Sequence, residues 1–220
     1  MIPILYEDRS ILVCQKPPGV LSQAGPGPNL PDLLGQEAGG TVYPIHRLDR
    51  EAGGVMVYAR TRPATAALSE AIRQDRLRKE YLCLVRGVPA QSEGSYEDLL
   101  LHDKARNKSF VVRRMRGGVR EARLSYHVLA SEAGISLVRI RLHTGRTHQI
   151  RVQFSSRGTP LLGDGKYGGG AGPLMLWSCL LAFPHPKTGR ELVFADLPQG
   201  GAWEPFRAQL REDGGKTELL

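Results

Sequence analysis

A polar segment followed by two glycines and an apolar run constrains this chain more than any other feature. Residues 43–60 read YPIHRLDREAGGVMVYAR. In the apolar run, side chains 55, 57 and 59 alternate with 56 and 58 as in a strand, and Gly53 and Gly54 can adopt backbone conformations closed to other residues. The pattern predicts a loop that leads directly into a buried strand, and binding and catalytic side chains concentrate on such loops.

Within this loop, Asp49 is the residue best suited to act as a nucleophile or base. Arg47 and Arg50 flank it, and neighbouring guanidinium groups keep a carboxylate ionised. Taken alone, the segment is better explained as a solvated, salt-bridged turn in which His46 and Asp49 form a structural hydrogen bond, because clustered charges are often structural. The rest of the chain decides against that interpretation.

The charge of the chain favours a polyanionic partner. Its 220 residues include 30 Lys and Arg against 22 Asp and Glu, which gives a net charge of +8. A basic balance of this kind is typical of proteins that bind nucleic acid. Eight basic residues and one acidic residue lie between Lys104 and Arg123. This basic segment, residues 104–123, is the candidate contact surface.

Cysteine usage and the N-terminal segment indicate the compartment. Cys14, Cys83 and Cys179 lie in apolar runs without metal-ligand spacing, which predicts buried thiols in a reducing environment. Acidic residues at positions 7 and 8 come too early for a signal peptide, and no apolar run is long enough to span a bilayer. We therefore expect a cytoplasmic protein with no membrane partner.

The succession of patterns predicts a mixed α/β fold. Apolar residues at helical spacing between Pro63 and Arg76, with Thr61 as a cap, predict a helix. From Gly94 to Leu142 strands and turns alternate, which predicts an antiparallel sheet. In its last strand, Arg139 and Arg141 are expected to form a charged face opposite a buried one.

Two glycine-containing segments further along resemble anion-binding loops. Residues 145–151, GRTHQIR, are predicted to begin a helix at Thr147. Its first amides and flanking basic side chains suit an anion, although a capped surface helix is an equally good interpretation. Residues 163–170, GDGKYGGG, lack the Lys-Ser/Thr ending and the preceding strand of a phosphate-binding loop. We expect a flexible connection there.

Four separated segments together resemble the RluA-type pseudouridine synthases. They are Ile11–Gly19 (ILVCQKPPG), His46–Asp49 (HRLD) with GVMV at 54–57, Lys79–Tyr81 (KEY) and Gly145–Arg151 (GRTHQIR). The resemblance covers nearly the whole chain. It implies isomerisation of uridine to its carbon-linked isomer within RNA, without a metal or an organic cofactor. It also implies the pseudouridine synthase fold, an extended and mostly antiparallel sheet with flanking helices and a central basic cleft.

The resemblance also implies roles for individual residues. Asp49 is implied as the catalytic carboxylate, Tyr81 as the ring that stacks on the target base, and Arg146 as the partner that orients Asp49. Arg47 takes the place of the arginine that displaces the base. Further RNA contacts are expected from His46, Lys79, Arg113, Arg114, Arg116, His148 and Arg151. Whether Asp49 attacks the sugar, attacks the base or removes a sugar proton stays open.

Elementary chemistry agrees with these implied roles. A carboxylate can stabilise or capture the electron-poor group that forms when uracil leaves its ribose. A base stacked in an RNA helix cannot reach the carboxylate, so the nucleotide must be extruded at a cost of a few kcal/mol. Arg47 lies two residues from Asp49 and is placed to occupy the vacated gap.

The chain departs from the family pattern at one point. The usual Thr-Ser-Gly after the aspartate is Ala52-Gly53-Gly54 here, so two hydroxyls that could bond the loop backbone are lost. The chain also starts directly at the first motif, without the small RNA-binding domain that many relatives carry. We therefore expect a monomeric catalytic domain over residues 1–211, with RNA recognition by the basic segment, and a disordered tail at 212–220.

Two alternatives come from other functional classes. A catalytically inactive RNA-binding or RNA-folding module of the same fold would have no reason to retain Asp49, Tyr81 and Arg146 together. A metal-dependent hydrolase would use His46, Asp49, His143 and His148, which show no recognised ligand motif. The prediction is therefore an RNA pseudouridine synthase that acts on structured ribosomal or transfer RNA.

Overall fold

The computed structural model describes residues 1–214, which form two compact units. The first unit comprises Met1–Lys79 and Trp177–Pro198, and the second comprises Glu80–Leu176 and the described residues from Gln199 onward. Both units contain strands and helices, so the predicted mixed α/β class is confirmed. The single domain over residues 1–211 stays a prediction.

Strands outnumber helices in this chain. The strands are β1 (Ile4–Glu7), β2 (Ile11–Lys16), β3 (Tyr43–Pro44), β4 (Gly53–Ala59), β5 (Arg78–Arg86), β6 (Glu93–Asp103), β7 (Lys108–Val112), β8 (Val119–Glu132), β9 (Ile135–Leu142), β10 (Leu176–Pro184) and β11 (Glu191–Ala195). The α-helices are α1 (Leu30–Ala38), α2 (Arg62–Arg73), α3 (Gln149–Ser155) and α4 (Arg207–Gly214), and a 3-10 helix spans Gly201–Phe206.

In the first unit the strands follow the order β1-β2-β4-β10, with β3 beside β4 and β11 beside β10. All pairs are antiparallel except β4 with β10. Helix α2 packs its apolar side against β2 and β4 through Ala64 and Leu68, which are buried. The helix begins as predicted, because the Thr61 side chain accepts a hydrogen bond from the backbone N–H of Ala64 at 3.3 Å.

In the second unit the strands follow the order β5-β9-β8-β6-β7, and every pair is antiparallel. The antiparallel sheet predicted between Gly94 and Leu142 is therefore confirmed. Buried Val152 of α3 packs with Leu100, Ala122 and Tyr167. This contact places the GRTHQIR segment against one face of the sheet.

Arg139 lies on the face of β9 that was predicted to be charged, but its side chain is buried. That side chain is 2% exposed, and its guanidinium donates to Glu80 at 2.7 Å and pairs with Asp213 at 2.7 Å. Two carboxylates replace the water that a buried guanidinium would otherwise require. Asp213 belongs to α4, so residues 212–214 of the predicted tail are helical, and the rest of that tail lies outside the described residues.

The glycine-rich segment 163–170 is a packed turn, so the predicted flexible connection is wrong. A Cβ on Gly163 would lie 2.6 Å from the carbonyl carbon of Pro173, and one on Gly169 would lie 2.8 Å from that of Leu161. The glycines are needed because the backbone passes this closely. Lys166 ties the turn down by donating to the backbone oxygen of Asn107 at 2.9 Å.

Two predictions from the composition concern the cysteines and membrane-spanning segments. The cysteines are buried free thiols, as expected. Between residues 1 and 214, no helix combines the length and the apolar character that crossing a bilayer requires.

Candidate active site

Asp49 lies on the loop between β3 and β4, where its side chain is half-buried. The backbone N–H of Ala52 donates to the Asp49 carbonyl at 3.1 Å, which closes a tight turn directly before β4. Every residue of β4 is buried. The loop-then-strand prediction for residues 43–60 is therefore confirmed, and the carboxylate is attached to a rigid strand.

A buried lysine anchors this turn through hydrogen bonds to its backbone. The side chain of Lys16, at the end of β2, is fully buried, and its ammonium donates to the carbonyl oxygens of Pro17 (3.0 Å), Arg50 (2.9 Å) and Ala52 (2.6 Å). Burial lowers the pKa of Lys16 to about 8, while the charges of Asp49 and Glu51 oppose that shift. Sequence reasoning placed Lys16 only within the first family motif and did not assign it to the site.

Further hydrogen bonds join the first motif and the loop after it to the Asp49 loop. The N–H of Gly19 donates to the Arg50 carbonyl at 2.8 Å, and Arg50 Nε returns a bond to the Gly19 carbonyl at 3.0 Å. The Ser22 hydroxyl donates to the Leu48 carbonyl at 2.9 Å. Both neighbours of Asp49 in the chain are therefore anchored, and the carboxylate has little freedom to move with its backbone.

His46 makes a structural contact within the loop, and its contact with RNA stays a prediction. Its Nε2 accepts a hydrogen bond from the backbone N–H of Val57 at 3.2 Å, so the neutral ring carries its proton on Nδ1. Burial lowers the pKa of His46 to about 3, and the nearby charge of Lys79 acts in the same direction. The ring is neutral at pH 7 and fastens the loop to β4, whereas the neighbouring Arg47 is exposed.

Two other predicted RNA contacts, Lys79 and Arg151, are buried. Lys79 is 8% exposed, and burial lowers its pKa. Arg151 forms two hydrogen bonds with the buried carboxylate of Asp164, at 2.7 and 2.8 Å. This geometry gives Arg151 a structural role, because the pair neutralises its charge inside the protein.

Helix α3 starts in a more buried environment than the sequence indicated. The helix begins at Gln149, two residues later than predicted, after His148 with a φ of 55°. His148 Nδ1 lies 3.0 Å from the Tyr167 hydroxyl. Residues 149–154 are all buried, so this is not a capped surface helix. That the first amides of this helix and the basic side chains beside them hold an anion stays a prediction.

Tyr81 and Arg146, both in the second unit, have contrasting environments. Tyr81 is 4% exposed in β5, where it pairs with Ile140 of β9. Arg146 is exposed, and its Nε donates to the Glu121 carbonyl at 2.8 Å. That these two side chains meet Asp49 in one site stays a prediction.

The basic segment reaches solvent at its centre. Arg113, Arg114 and Arg116 are exposed in the loop between β7 and β8, beside Met115, which is 57% exposed. These arginines are accessible to a phosphate backbone.

Between residues 1 and 214, no group of three or more His, Cys, Asp or Glu side chains could hold a metal ion, which leaves the hydrolase alternative without a ligand cluster.

Comparison with known proteins gives a consistent result. Residues 10–156 match the family described as RNA pseudouridylate synthase. An uncharacterised RNA pseudouridine synthase of Aquifex aeolicus is 34% identical over 218 residues, with 88% of this chain and 68% of the relative covered. Ribosomal large subunit pseudouridine synthase C of Escherichia coli (strain K12) is 34% identical over 214 residues, with 90% and 67% covered.

The fold agrees with that assignment. The structure of human RNA pseudouridylate synthase domain containing 4 superposes with a TM-score of 0.76 at 26% identity, and the match covers 95% of this chain and 93% of the human one. Family, relatives and fold therefore agree: the chain belongs to the RNA pseudouridylate synthase family and is an RNA pseudouridine synthase, an isomerase.

Proposed function

We propose that this protein isomerises specific uridines in structured ribosomal or transfer RNA, with Asp49 as the catalytic carboxylate acting on a nucleotide flipped out of its helix. The observation that carries the proposal is the anchoring of the Asp49 turn by the buried ammonium of Lys16. A catalytic group must be held in place before its substrate arrives, since a misplacement of about 1 Å can reduce the rate about 100-fold. A solvated surface turn would not need a fully buried cation beneath it.

The reaction needs few chemical functions from the protein. The bond between ribose C1′ and uracil N1 breaks, the base turns, and a bond forms between C1′ and C5. The proton on C5 then leaves and N1 takes up a proton, so the product is an isomer of the substrate. The Asp49 carboxylate stabilises or captures the electron-poor fragment during the first of these steps. Tyr81 stacks on the base while it is detached, and such stacking contributes about 1–3 kcal/mol per base in single-strand binders.

Extruding the target uridine requires a group that fills the vacated position. Arg47 is exposed two residues before Asp49, so it can enter the RNA helix while the carboxylate meets the flipped nucleotide.

The other proposed roles belong to further arginines. Arg146 is proposed to orient Asp49. Arg113, Arg114 and Arg116 bind the phosphate backbone, because planar guanidinium groups form paired hydrogen bonds with phosphate oxygens.

Ribosomal RNA is the first substrate to test. The Escherichia coli relative is named as a ribosomal large subunit pseudouridine synthase. Mapping pseudouridine in total RNA from cells with and without this protein would identify the substrate. We expect sites to disappear from ribosomal RNA, and their disappearance from transfer RNA alone would move the assignment to the other class.

The role of Asp49 can be tested with one isosteric substitution. Asp49→Asn should fold and bind RNA with an affinity within about threefold of wild type, but should release no tritium from RNA labelled at uridine C5, because an amide is a far weaker nucleophile and base. Glu51→Gln is the matched control, since Glu51 lies in the same turn with its side chain exposed. It should retain turnover. Tritium release by Asp49→Asn at a rate near wild type would refute the assignment, and no release by wild type on any RNA would favour the inactive binding module.

A further inference from the structure

The indole of Trp177 occupies the space above Gly53, at the start of the strand that follows Asp49. A Cβ placed on Gly53 would lie 2.7 Å from Cε3 and 3.0 Å from Cη2 of the indole. Real Cβ atoms essentially never approach another heavy atom within 3.0 Å. No side chain therefore fits at position 53 while the indole stays in place.

The backbone of β10 closes over the next residue in the same way. Trp177 and Ser178 pair in parallel with Gly53 and Gly54. Gly54 has a φ of 112°, and a Cβ there would lie 2.6 Å from the backbone nitrogen of Ser178. The Ser178 hydroxyl also donates to the buried Val55 carbonyl at 3.0 Å. The first residues of β4 are thus held against β10 by backbone, hydroxyl and indole together.

The indole itself is fixed by a shared acceptor. Its Nε1 donates to Asp196 Oδ2 at 3.1 Å, and Gln15 Nε2 donates to the same oxygen at 2.9 Å. Gln15 belongs to β2, and Asp196 directly follows β11. Because two donors from different strands converge on one carboxylate oxygen, the ring is held at a defined orientation above Gly53.

Gly53 is one residue from the atoms that hold Asp49. The neighbouring Ala52 donates its N–H to the Asp49 carbonyl at 3.1 Å and accepts the Lys16 ammonium at 2.6 Å. A shift of the backbone at position 53 would therefore move both anchors of the turn. Ala52 carries only a methyl group and Gly53 no side chain, so neither residue can fix this backbone through a side-chain hydrogen bond.

We propose that Trp177 is a positioning residue for Asp49: its indole, seated on Gly53, sets the backbone of the catalytic turn. The inference rests on the proposed catalytic role of Asp49. It makes Gly53 and Trp177 a coupled pair, in which a larger residue at 53 requires a smaller one at 177.

The test is a double-mutant cycle measured by single-turnover kinetics on the mapped RNA substrate. Trp177→Ala should lower the rate of the chemical step about 10- to 100-fold, consistent with a displacement of up to about 1 Å, and should leave RNA affinity within about threefold. Gly53→Ser should do the same, because its Cβ collides with the ring. In the Gly53→Ser/Trp177→Ala double variant, the serine has room, and the rate should rise at least fivefold above either single variant.

A folded-fraction criterion and two control variants separate positioning from stability. All variants are compared at a temperature where each is more than 95% folded by circular dichroism, so that a fall in rate belongs to folded molecules. Trp177→Phe keeps a ring over Gly53 and should stay within about threefold of wild type. Trp203→Phe changes the other tryptophan, which is buried in the second unit, and should leave the rate unchanged.

The outcomes distinguish this inference from the proposed function. A wild-type rate in folded Trp177→Ala, or single-variant losses that simply multiply in the double variant, would overturn the positioning role while leaving Asp49 as the catalytic group. Turnover by Asp49→Asn would overturn the proposed function, whatever the double-mutant cycle shows. A fall in the RNA affinity of Trp177→Ala at an unchanged single-turnover rate would also overturn positioning, because it would assign the indole to substrate binding.

Discussion

The ammonium of Lys16 donates to the carbonyl oxygen of Ala52 at 2.6 Å, three residues beyond Asp49. Its two other bonds go to the carbonyls of Pro17 and Arg50. A buried cation is costly unless its protons are satisfied, and here three backbone oxygens satisfy them. The first family motif and the Asp49 loop are therefore parts of one hydrogen-bonded unit.

Replacing this ammonium should loosen the turn. Lys16→Met keeps an unbranched side chain of similar length but removes the donor that three carbonyls share. The Arg50 carbonyl still accepts from the Gly19 N–H, whereas a buried carbonyl left unsatisfied costs about 1–3 kcal/mol. Removing the desolvated charge offsets part of that cost. We expect a net decrease of about 1–3 kcal/mol in the free energy of urea unfolding, together with a slower single-turnover rate. Wild-type stability and rate in this variant would contradict the anchoring role.

The acid sensitivity of the fold should depend on His46. The folded-state pKa is about 3, below the ordinary value of 6.5, because burial disfavours the charged ring. The unfolded chain therefore binds an extra proton between these two values. The stability that neutral His46 contributes is fully present above pH 6.5 and is lost as the pH falls towards 3, at no more than about 1.4 kcal/mol per pH unit.

His46→Gln removes this titration while keeping a hydrogen-bond acceptor for Val57. Unfolding free energies measured at pH 7, 5.5 and 4.5 should fall more steeply for wild type than for the variant. Parallel curves would show that the imidazole is not buried in its neutral form.

The ion pair between Arg151 and Asp164 should be essential for stability. Asp164→Ala leaves a buried guanidinium without its carboxylate, and breaking a buried pair in this way typically costs about 3–5 kcal/mol. Glu70→Gln in the exposed pair with Arg73 is the control, and it should leave the free energy of unfolding nearly unchanged, because solvent screens an exposed ion pair. Chemical denaturation compares the two. Similar small decreases in stability would contradict the buried ion pair and would favour the predicted contact of Arg151 with RNA.

The exposed arginines of the basic segment should contribute salt-dependent RNA binding. Replacing Arg113, Arg114 and Arg116 by glutamine should weaken binding and reduce the slope of log K against log salt by about 0.7–0.9 for each phosphate that is no longer neutralised. Glutamines at the exposed Arg62, Arg73 and Arg76 remove the same net charge elsewhere. Filter binding at several salt concentrations should show the smaller change for that control. Equal changes would mean that only net charge matters.

Local sequence patterns were sufficient to predict most of the strands and helices. The strands and turns predicted between Gly94 and Leu142 are present, because alternation and turn residues are encoded within a few positions. The capped helix after Thr61 was predicted for the same reason. The flexible connection predicted for segment 163–170 is wrong, because nothing in its own sequence shows that the backbones of Leu161 and Pro173 pack against it.

The family, the succession of strands and helices along the chain, and the candidate carboxylate Asp49 follow from the amino-acid sequence, because motifs and periodicity are properties of neighbouring residues. The tertiary structure alone decides which charged groups are buried. Arg139 meets Asp213 across 74 positions, and Lys16 reaches Ala52 across 36. A cation can leave water only where such distant partners replace its hydration, and that pairing exists only after the chain has folded.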